Sequence, residues 1–420
     1  MSKKVSTFIC FCLHMYQPPT QDNGILKKID KECYKPLFNV LDYHDNAKIC
    51  LNINGVLIDL LHEFDLSDTL DFLKNLVSEG KIEIVGTAKY HPILPLIPEL
   101  ETHRQIQLNE ETNINEFGKL WKRNGFFPPE MAISGGVAKY IRELGYKWVI
   151  MSGIACPMEW PFDQIYCSPN GLQLFFRDDI ISNQISFKDI TAKKFVSEAK
   201  KLHKNEKKSN STYIIIAQDA ETFGHHIPRY EKIFLGKAME LINNDSETEL
   251  LFLSDLDQYF PINKEKIIPK ESSWSTTTED LAKHIPYPLW KHPNNNVHRY
   301  YWKIMKSLVN LMNLLDDLGH SEVWDIKNYY STARWFFDQG LHSCPTWWAN
   351  YERGIWSPNL VYKGVELLIQ AALNAQMALV YANKSDLGEG YFDSISYYHG
   401  LLLMELYTIT NNNINKSHKI

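Results

Sequence analysis

Seven short runs in the first 260 residues are apolar almost without interruption, and this pattern constrains the fold of the 420-residue chain more than any other. They read "STFICFCL", "KICLNI", "KIEIVG", "KWVIM", "LQLFFR", "STYIIIA" and "ELLFLS". A strand with one wet face alternates apolar and polar residues, whereas a near-continuous apolar strand is covered on both faces, as in parallel sheets. Helical patterns lie between several of these runs. In "SDTLDFLKNLVSEG", Ser67 reads as an N-cap and Gly80 as the terminator. Alternating strand and helix predict an α/β fold, either a parallel barrel or a doubly wound sheet. Both put their chemistry at the C-terminal ends of the strands.

Beyond "YPLWKHPNNNVHRYY" the periodicity changes. "HRYYWKIMKSLVNLMNLLDDLG", "GVELLIQAALNAQMALVYANK" and "SISYYHGLLLMELYTI" carry apolar residues at three-to-four spacing, so this part is expected to be all-helical. A net charge of −6, from 44 basic and 50 acidic residues, gives no reason to expect nucleic acid or an anionic membrane as partner. No run approaches the roughly 18 apolar residues of a membrane span. The start, "MSKKVSTFICFCLHMYQPP", has no small-residue cleavage site after its apolar stretch and reads as the first strand. "EAKKLHKNEKKSNS" reads as a solvated loop and "NNNINKSHKI" as a frayed tail. The seven cysteines lack CxxC spacing, and Cys10 and Cys12 read as small hydrophobes of a reduced core, which suggests a cytoplasmic protein.

The strand exits are where chemistry enters. The first strand leaves through His14-Met15-Tyr16-Gln17-Pro18, and "KIEIVG" leads to Lys89-Tyr90-His91-Pro92. "GFFPPE" delivers Glu130, while "STYIIIA" runs into Gln218-Asp219-Ala220-Glu221, with His225 and His226 just beyond. Two carboxylates from different strands suit glycosidic bond cleavage, in which one protonates the leaving oxygen and the other attacks or activates water. The acid must keep its proton near neutrality, which burial and a neighbouring anion both favour. Glu221 reads either as tuning Asp219 or as binding a hydroxyl. Asp219, His225 and His226 could instead ligate a metal, but adjacent histidines after Gly224 suit a three-ligand site poorly, so no metal or organic cofactor is expected. On a helix Trp347 and Trp348 point roughly 100° apart, so at least one is expected to face a cleft. Trp274, in a Ser/Thr-rich loop, reads as a binding residue, and Tyr287, Trp290, Trp302 and Trp335 as packing.

His14-Met15-Tyr16-Gln17-Pro18, "GTAKYHPILPL", "FFPPEMA", "AQDAETFGHH" and "HSCPTWWAN" resemble the five ordered sequence regions of glycoside hydrolase family 57. They occur in family order between Cys12 and Asn350, and "RDDIIS" and "SSWSTTTEDL" fit as well. The resemblance implies an incomplete (β/α)7 parallel barrel over residues 1–290 and a C-terminal α-helical domain over 291–420 that contributes to the substrate cleft. It implies retaining action on an α-glucan or malto-oligosaccharide, with Glu130 as nucleophile and Asp219 as general acid/base. His14, His91, His225, Trp347 and Trp348 fall on positions similar to substrate-contacting ones; Tyr16, Gln17, Glu221, His226 and Trp274 complete the candidate set. Two departures stand out: Tyr16 replaces a histidine found in many members, and His91 sits where some members carry a carboxylate. Amylase-type hydrolysis of α-1,4 linkages is the expectation, with 4-α-glucanotransferase or branching activity as the family alternative. A metal-dependent barrel hydrolase of deacetylase or mannosidase type, or a glucan-binding protein without catalysis, are the alternatives of other classes.

Overall fold

A computed structural model describes residues 5–205 and 211–417, and the chain divides into two compact units. The first spans Met1–Lys89 and Ile93–Thr277, the second Tyr90–Pro92 and Thr278–Ile420.

In the first unit the strands are β1 (Thr7–Met15), β2 (Ile49–Ile53), β3 (Ile82–Val85), β4 (Gly125–Phe126), β5 (Trp148–Ser152), β6 (Ile165–Cys167), β7 (Gln173–Arg177), β8 (Thr212–Asp219), β9 (Thr248–Leu250) and β10 (Ile262–Lys266). Parallel ladders run in the order β3-β2-β1-β8 and β4-β5-β7. A parallel bridge between Gly86 and Phe126 joins β3 to β4. From β7 to β8 no ladder forms; instead the Asp178 N–H donates to the Ile215 carbonyl at 2.8 Å. The strands β1, β2, β3, β4, β5, β7 and β8 thus form an incomplete (β/α)7 barrel. β9 pairs with Thr7–Ile9 of β1, below the Phe11–Met15 stretch that pairs with β2. β6 runs antiparallel to β7, and β10 pairs with β6.

Side chains alternate between the two faces of a strand. Phe8, Cys10 and Cys12 of β1, Cys50 of β2, Ile150 of β5, Phe175 of β7 and Tyr213, Ile215 and Ala217 of β8 share one buried cluster. Two residues further on, the same face of these strands carries His14, Asn52, Ser152, Arg177 and Asp219. The apolar filling therefore gives way to a polar layer at the C-terminal ends, and this layer is the floor of the candidate site.

Several sequence expectations shift. Only Glu249 and Leu250 of "ELLFLS" are strand, as the end of β9, and the short β4, β6 and β10 give no apolar run of their own. Ser67 is the first helical residue of Ser67–Ser78 rather than its cap, and its hydroxyl lies 3.0 Å from His62 Nδ1. Gly80 does follow that helix in the left-handed region, at φ 72°. "EAKKLHKNEKKSNS" begins as the end of helix Ala192–Asn205, and residues 206–210 lie outside the described residues. The tail expected to fray is helical to Ser417, with 418–420 outside the described residues.

The second unit is built from helices Asn296–Asn313, Trp324–Gly340, Pro358–Tyr381 and Ser385–Ser417 with short connecting elements. Pro358–Tyr381 packs against the other three. Its edge falls at Thr278, earlier than the expected residue 291. Tyr287 and Trp290 are buried as expected and Trp302 partly so, but Trp335 is 55% exposed and does not pack inside. Among the described residues, no helix is long and apolar enough to cross a membrane.

Candidate active site

One rung of the barrel assembles the site's base. Ladder register sets Asp219 of β8 beside His14 of β1, and His14 beside Asn52 of β2. Register partners in parallel strands share a face, so all three point inward. His14 Nδ1 meets Asn52 Oδ1, an acceptor, so the proton lies on Nδ1. The imidazole stacks on Phe127, with centroids 4.9 Å apart and planes 5° apart. Burial lowers its pKa to about 4, so His14 is neutral at pH 7. Tyr16 stacks more loosely beyond it, with centroids 6.1 Å apart.

Glu130 arrives from β4 through Phe127-Pro128-Pro129. Its backbone is left-handed, at φ 58° and ψ 18°, and Met131 follows at φ 49°. Non-glycine residues avoid this region, and such strain, of order 1–3 kcal/mol each, gathers at functional sites. The Trp274 indole N–H donates to Glu130 Oε2 at 2.7 Å, and the Trp274 amide donates to the Glu130 carbonyl at 3.1 Å. Trp274 also meets His14 and Phe127 edge-on, at 6.0 and 5.9 Å. The Arg177 guanidinium lies 5.9 Å from the Trp274 ring. Arg177 is buried and donates to the Ala217 carbonyl, Asp179 and Asn183.

Both candidate catalytic carboxyls are partly accessible and densely surrounded. Burial raises Glu130 to about 8, with the Asp219 charge adding to the rise and the Trp274 bond opposing it. Asp219 is raised to about 6, again mainly by burial, with Arg177 pulling it down. The two interact, so these values belong to the pair: Asp219 is already charged when Glu130 titrates, whereas Glu130 is still neutral when Asp219 does.

Glu221 is a third buried carboxyl. The chain after Asp219 makes a tight turn, Ala220–Thr222. Tyr34 O–H donates to Glu221 Oε1 at 2.6 Å, and Gln17 Nε2 donates to the same oxygen at 3.1 Å. Burial and the Asp219 charge raise Glu221 to about 7 against those bonds. His225 Nδ1 pairs with Glu32 Oε2 at 2.9 Å, while His226 is exposed. Among the described residues no three His, Cys, Asp or Glu side chains converge on a position that could hold a metal ion, so Asp219, His225 and His226 are not a ligand set.

His91 clusters with the second unit. It is fully buried, at φ 58°, with Nδ1 2.9 Å from the Ser343 hydroxyl. Trp347 and Trp348, in the same unit, are both partly exposed, with rings edge-on at 4.7 Å. Of the candidate residues, Glu130, Asp219, Glu221, His14, Tyr16, Gln17, Trp274 and His225 therefore gather in the first unit around one barrel end. Tyr34, Asn52, Phe127 and Arg177 were not foreseen. Asn52 and Arg177 could have been found by extending each strand's inward parity to its last residue; Tyr34 and Phe127 carry no such signal.

A family model for glycosyl hydrolase family 57 matches residues 10–269, well over half of the chain. The chain belongs to glycosyl hydrolase family 57. Similar proteins include an α-amylase of Pyrococcus horikoshii, 22% identical over 97% of this chain and 59% of that protein. A 4-α-glucanotransferase of Thermococcus kodakarensis is 23% identical over 60% of this chain and 39% of that protein. The chain thus spans 59% or less of the length of these curated relatives. Among solved structures, the family 57 branching enzyme of P. horikoshii superposes with a TM-score of 0.72 at 14% identity, covering 96% of this chain and 97% of that one. At that identity the likeness establishes the family 57 fold.

Proposed function

We propose that this family 57 chain is a retaining α-glucan-active glycosidase with Glu130 as nucleophile and Asp219 as general acid/base. The observation that carries the reading is a pair of carboxyls from different strands, each raised by burial, with the Asp219 charge reaching Glu130. A Glu130 oxygen attacks the anomeric carbon as the glycosidic C–O bond breaks and Asp219 gives its proton to the departing oxygen. Asp219 then takes a proton from water in hydrolysis, or from a sugar hydroxyl in transfer, while the Glu130–sugar bond is cleaved. Before substrate binds, the proton resides more stably on Glu130 than on Asp219, the reverse of the reactive arrangement. Bound sugar favours the exchange, because the leaving oxygen accepts from protonated Asp219 and the electron-poor anomeric carbon stabilises the Glu130 anion.

Neutral His14, held by Asn52 and Phe127, suits a sugar hydroxyl partner, and Glu221, anchored by Tyr34 and Gln17, is proposed to position the turn that follows Asp219. His225, Tyr16 and Gln17 are assigned to substrate contact or its support, and His91, Trp347 and Trp348 to the helical part. The names of the relatives support an α-glucan substrate, and amylase-type hydrolysis is the preferred outcome over transfer. All seven cysteines are free thiols, which supports a reducing, cytoplasmic setting.

The test is product chromatography after incubation with maltoheptaose, with wild type, Glu130→Gln and Asp219→Asn run in parallel, with and without EDTA. Shorter products from wild type alone, released with retained anomeric configuration by NMR and indifferent to EDTA, support the reading; longer products move it to transfer. Either variant within tenfold of wild type, or loss of activity with EDTA, overturns it.

A further inference from the structure

The second unit contains a pocket of about 290 Å³ lined by the Asn-rich turn after Pro293 and by the segment after Asn350. We propose that it is a non-catalytic α-glucan-binding site, an inference that rests on the α-glucan reading above. Three asparagines follow Pro293, and a linker needs no such run. Two of the region's asparagines build the walls. The Asn295 side chain caps helix Asn296–Asn313 and donates to the Ala349 carbonyl at 2.8 Å. Asn350 is buried and donates to the carbonyls of Leu289, Thr346 and Trp347. Both walls are therefore fixed before any ligand arrives, which lowers the ordering cost of binding.

The remaining lining is chemically suited to a neutral polyol. Asn294 and Glu352 lie exposed at the pocket. Asn296 donates to Glu405 Oε1 at 3.1 Å, leaving the second carboxylate oxygen as an acceptor. Arg353 spends one N–H on Asp280 at 3.1 Å, out of the five a guanidinium carries. Tyr351 adds an aromatic ring that is 38% exposed and braced edge-on by Trp356 at 6.0 Å. Amide, carboxylate and guanidinium groups lining one pocket with an aromatic ring match a sugar's vicinal hydroxyls and its apolar face. Two carboxylates against one guanidinium disfavour a phosphate or other anion. The volume sits at the small end of ligand pockets, so it holds a short stretch or end of a chain. A long glucan seated there stays tethered to the protein, which raises its effective concentration for the chemistry.

The test uses native gel electrophoresis through amylopectin, with wild type, Tyr351→Ala and Asn294→Ala, each checked for an unchanged thermal transition. Steady-state kinetics on amylopectin and on maltoheptaose accompany it. The expected result is less retardation for both variants and a three- to tenfold higher KM on amylopectin, with kcat/KM on maltoheptaose within twofold of wild type. If wild type processes maltoheptaose and the folded variants are retarded like wild type, this inference falls while the catalytic reading stands. If wild type processes no α-glucan, the catalytic reading falls, and loss of retardation in the variants alone would still uphold the pocket. Equal loss on both substrates would assign the residues to the reaction itself and overturn a separate site.

Discussion

Trp274 and Asp219 pull Glu130 in opposite directions. A hydrogen bond to the anion lowers a carboxyl's pKa, and a neighbouring negative charge raises it. Trp274→Phe should therefore move the alkaline limb of the kcat/KM–pH profile, where Glu130 titrates, upward and reduce kcat by about tenfold. Asp219→Asn should lower the Glu130 pKa, which carboxyl ¹³C NMR would register directly. With the pair raised to about 6 and about 8, the singly protonated form dominates between those values. Activity should be bell-shaped, losing the nucleophile below this window and the acid above it. Stability carries the same signature. The folded-state pKa of Glu130 lies above its ordinary value of 4.5, so the folded chain binds more protons than the unfolded one between 4.5 and about 8. Its contribution is present below 4.5 and is lost as pH rises through about 8. Glu130→Gln should consequently raise Tm relative to wild type by roughly 2–5 °C at pH 8.5 and by much less at pH 5. Equal differences at the two values would show that Glu130 is not held in its neutral form.

At the scale of elements, the wide helical turn Asp30–Tyr34 is what shapes the loop after Asp219. It supplies Tyr34 to Glu221, Glu32 to His225, and a thiol, Cys33, that donates to the Ala220 carbonyl at 3.1 Å. Gly224 closes the fit: its φ is 125°, and a Cβ there would stand 2.0 Å from the Glu32 carbonyl oxygen. Gly224→Ala should cost more than about 3 kcal/mol in urea unfolding and lower activity with it. Tyr34→Phe keeps the volume but removes a donor to the Glu221 anion, so Glu221 should titrate higher and kcat fall by about tenfold. None of this was legible in "DKECYK", because a wide turn leaves no periodic trace and its partners lie almost 190 residues away. The strand-borne half was legible. β1 and β8 announced themselves by continuous apolar residues, and their polar ends by the abrupt arrival of His14 and Asp219. β4 was hidden because two residues are too few to show a pattern, yet it delivers Glu130.

For the molecule as a whole, periodicity was enough to separate strand-rich from helical sequence, because covered parallel strands and amphipathic helices differ in every few residues. It misplaced the border, since Thr278–Pro286 carries no helical stripe yet clusters with the second unit. Trp335 was misjudged for a related reason: periodicity gives a side chain's direction but says nothing of whether another element covers it. The junction of β7 and β8 is a feature of the entire barrel. Arg177 Nε reaches the Ala217 carbonyl at 2.6 Å, two residues from Asp219 and where a ladder partner would otherwise sit. Arg177→Met should accelerate hydrogen exchange at the Asp178 amide, whose bond to Ile215 spans the same junction, by at least tenfold before global unfolding is affected. A fence completed by a latch opens without losing a post. If the exchange result is met, the ring of strands parts first at this one side chain, and the strand that carries Asp219 is the gatepost.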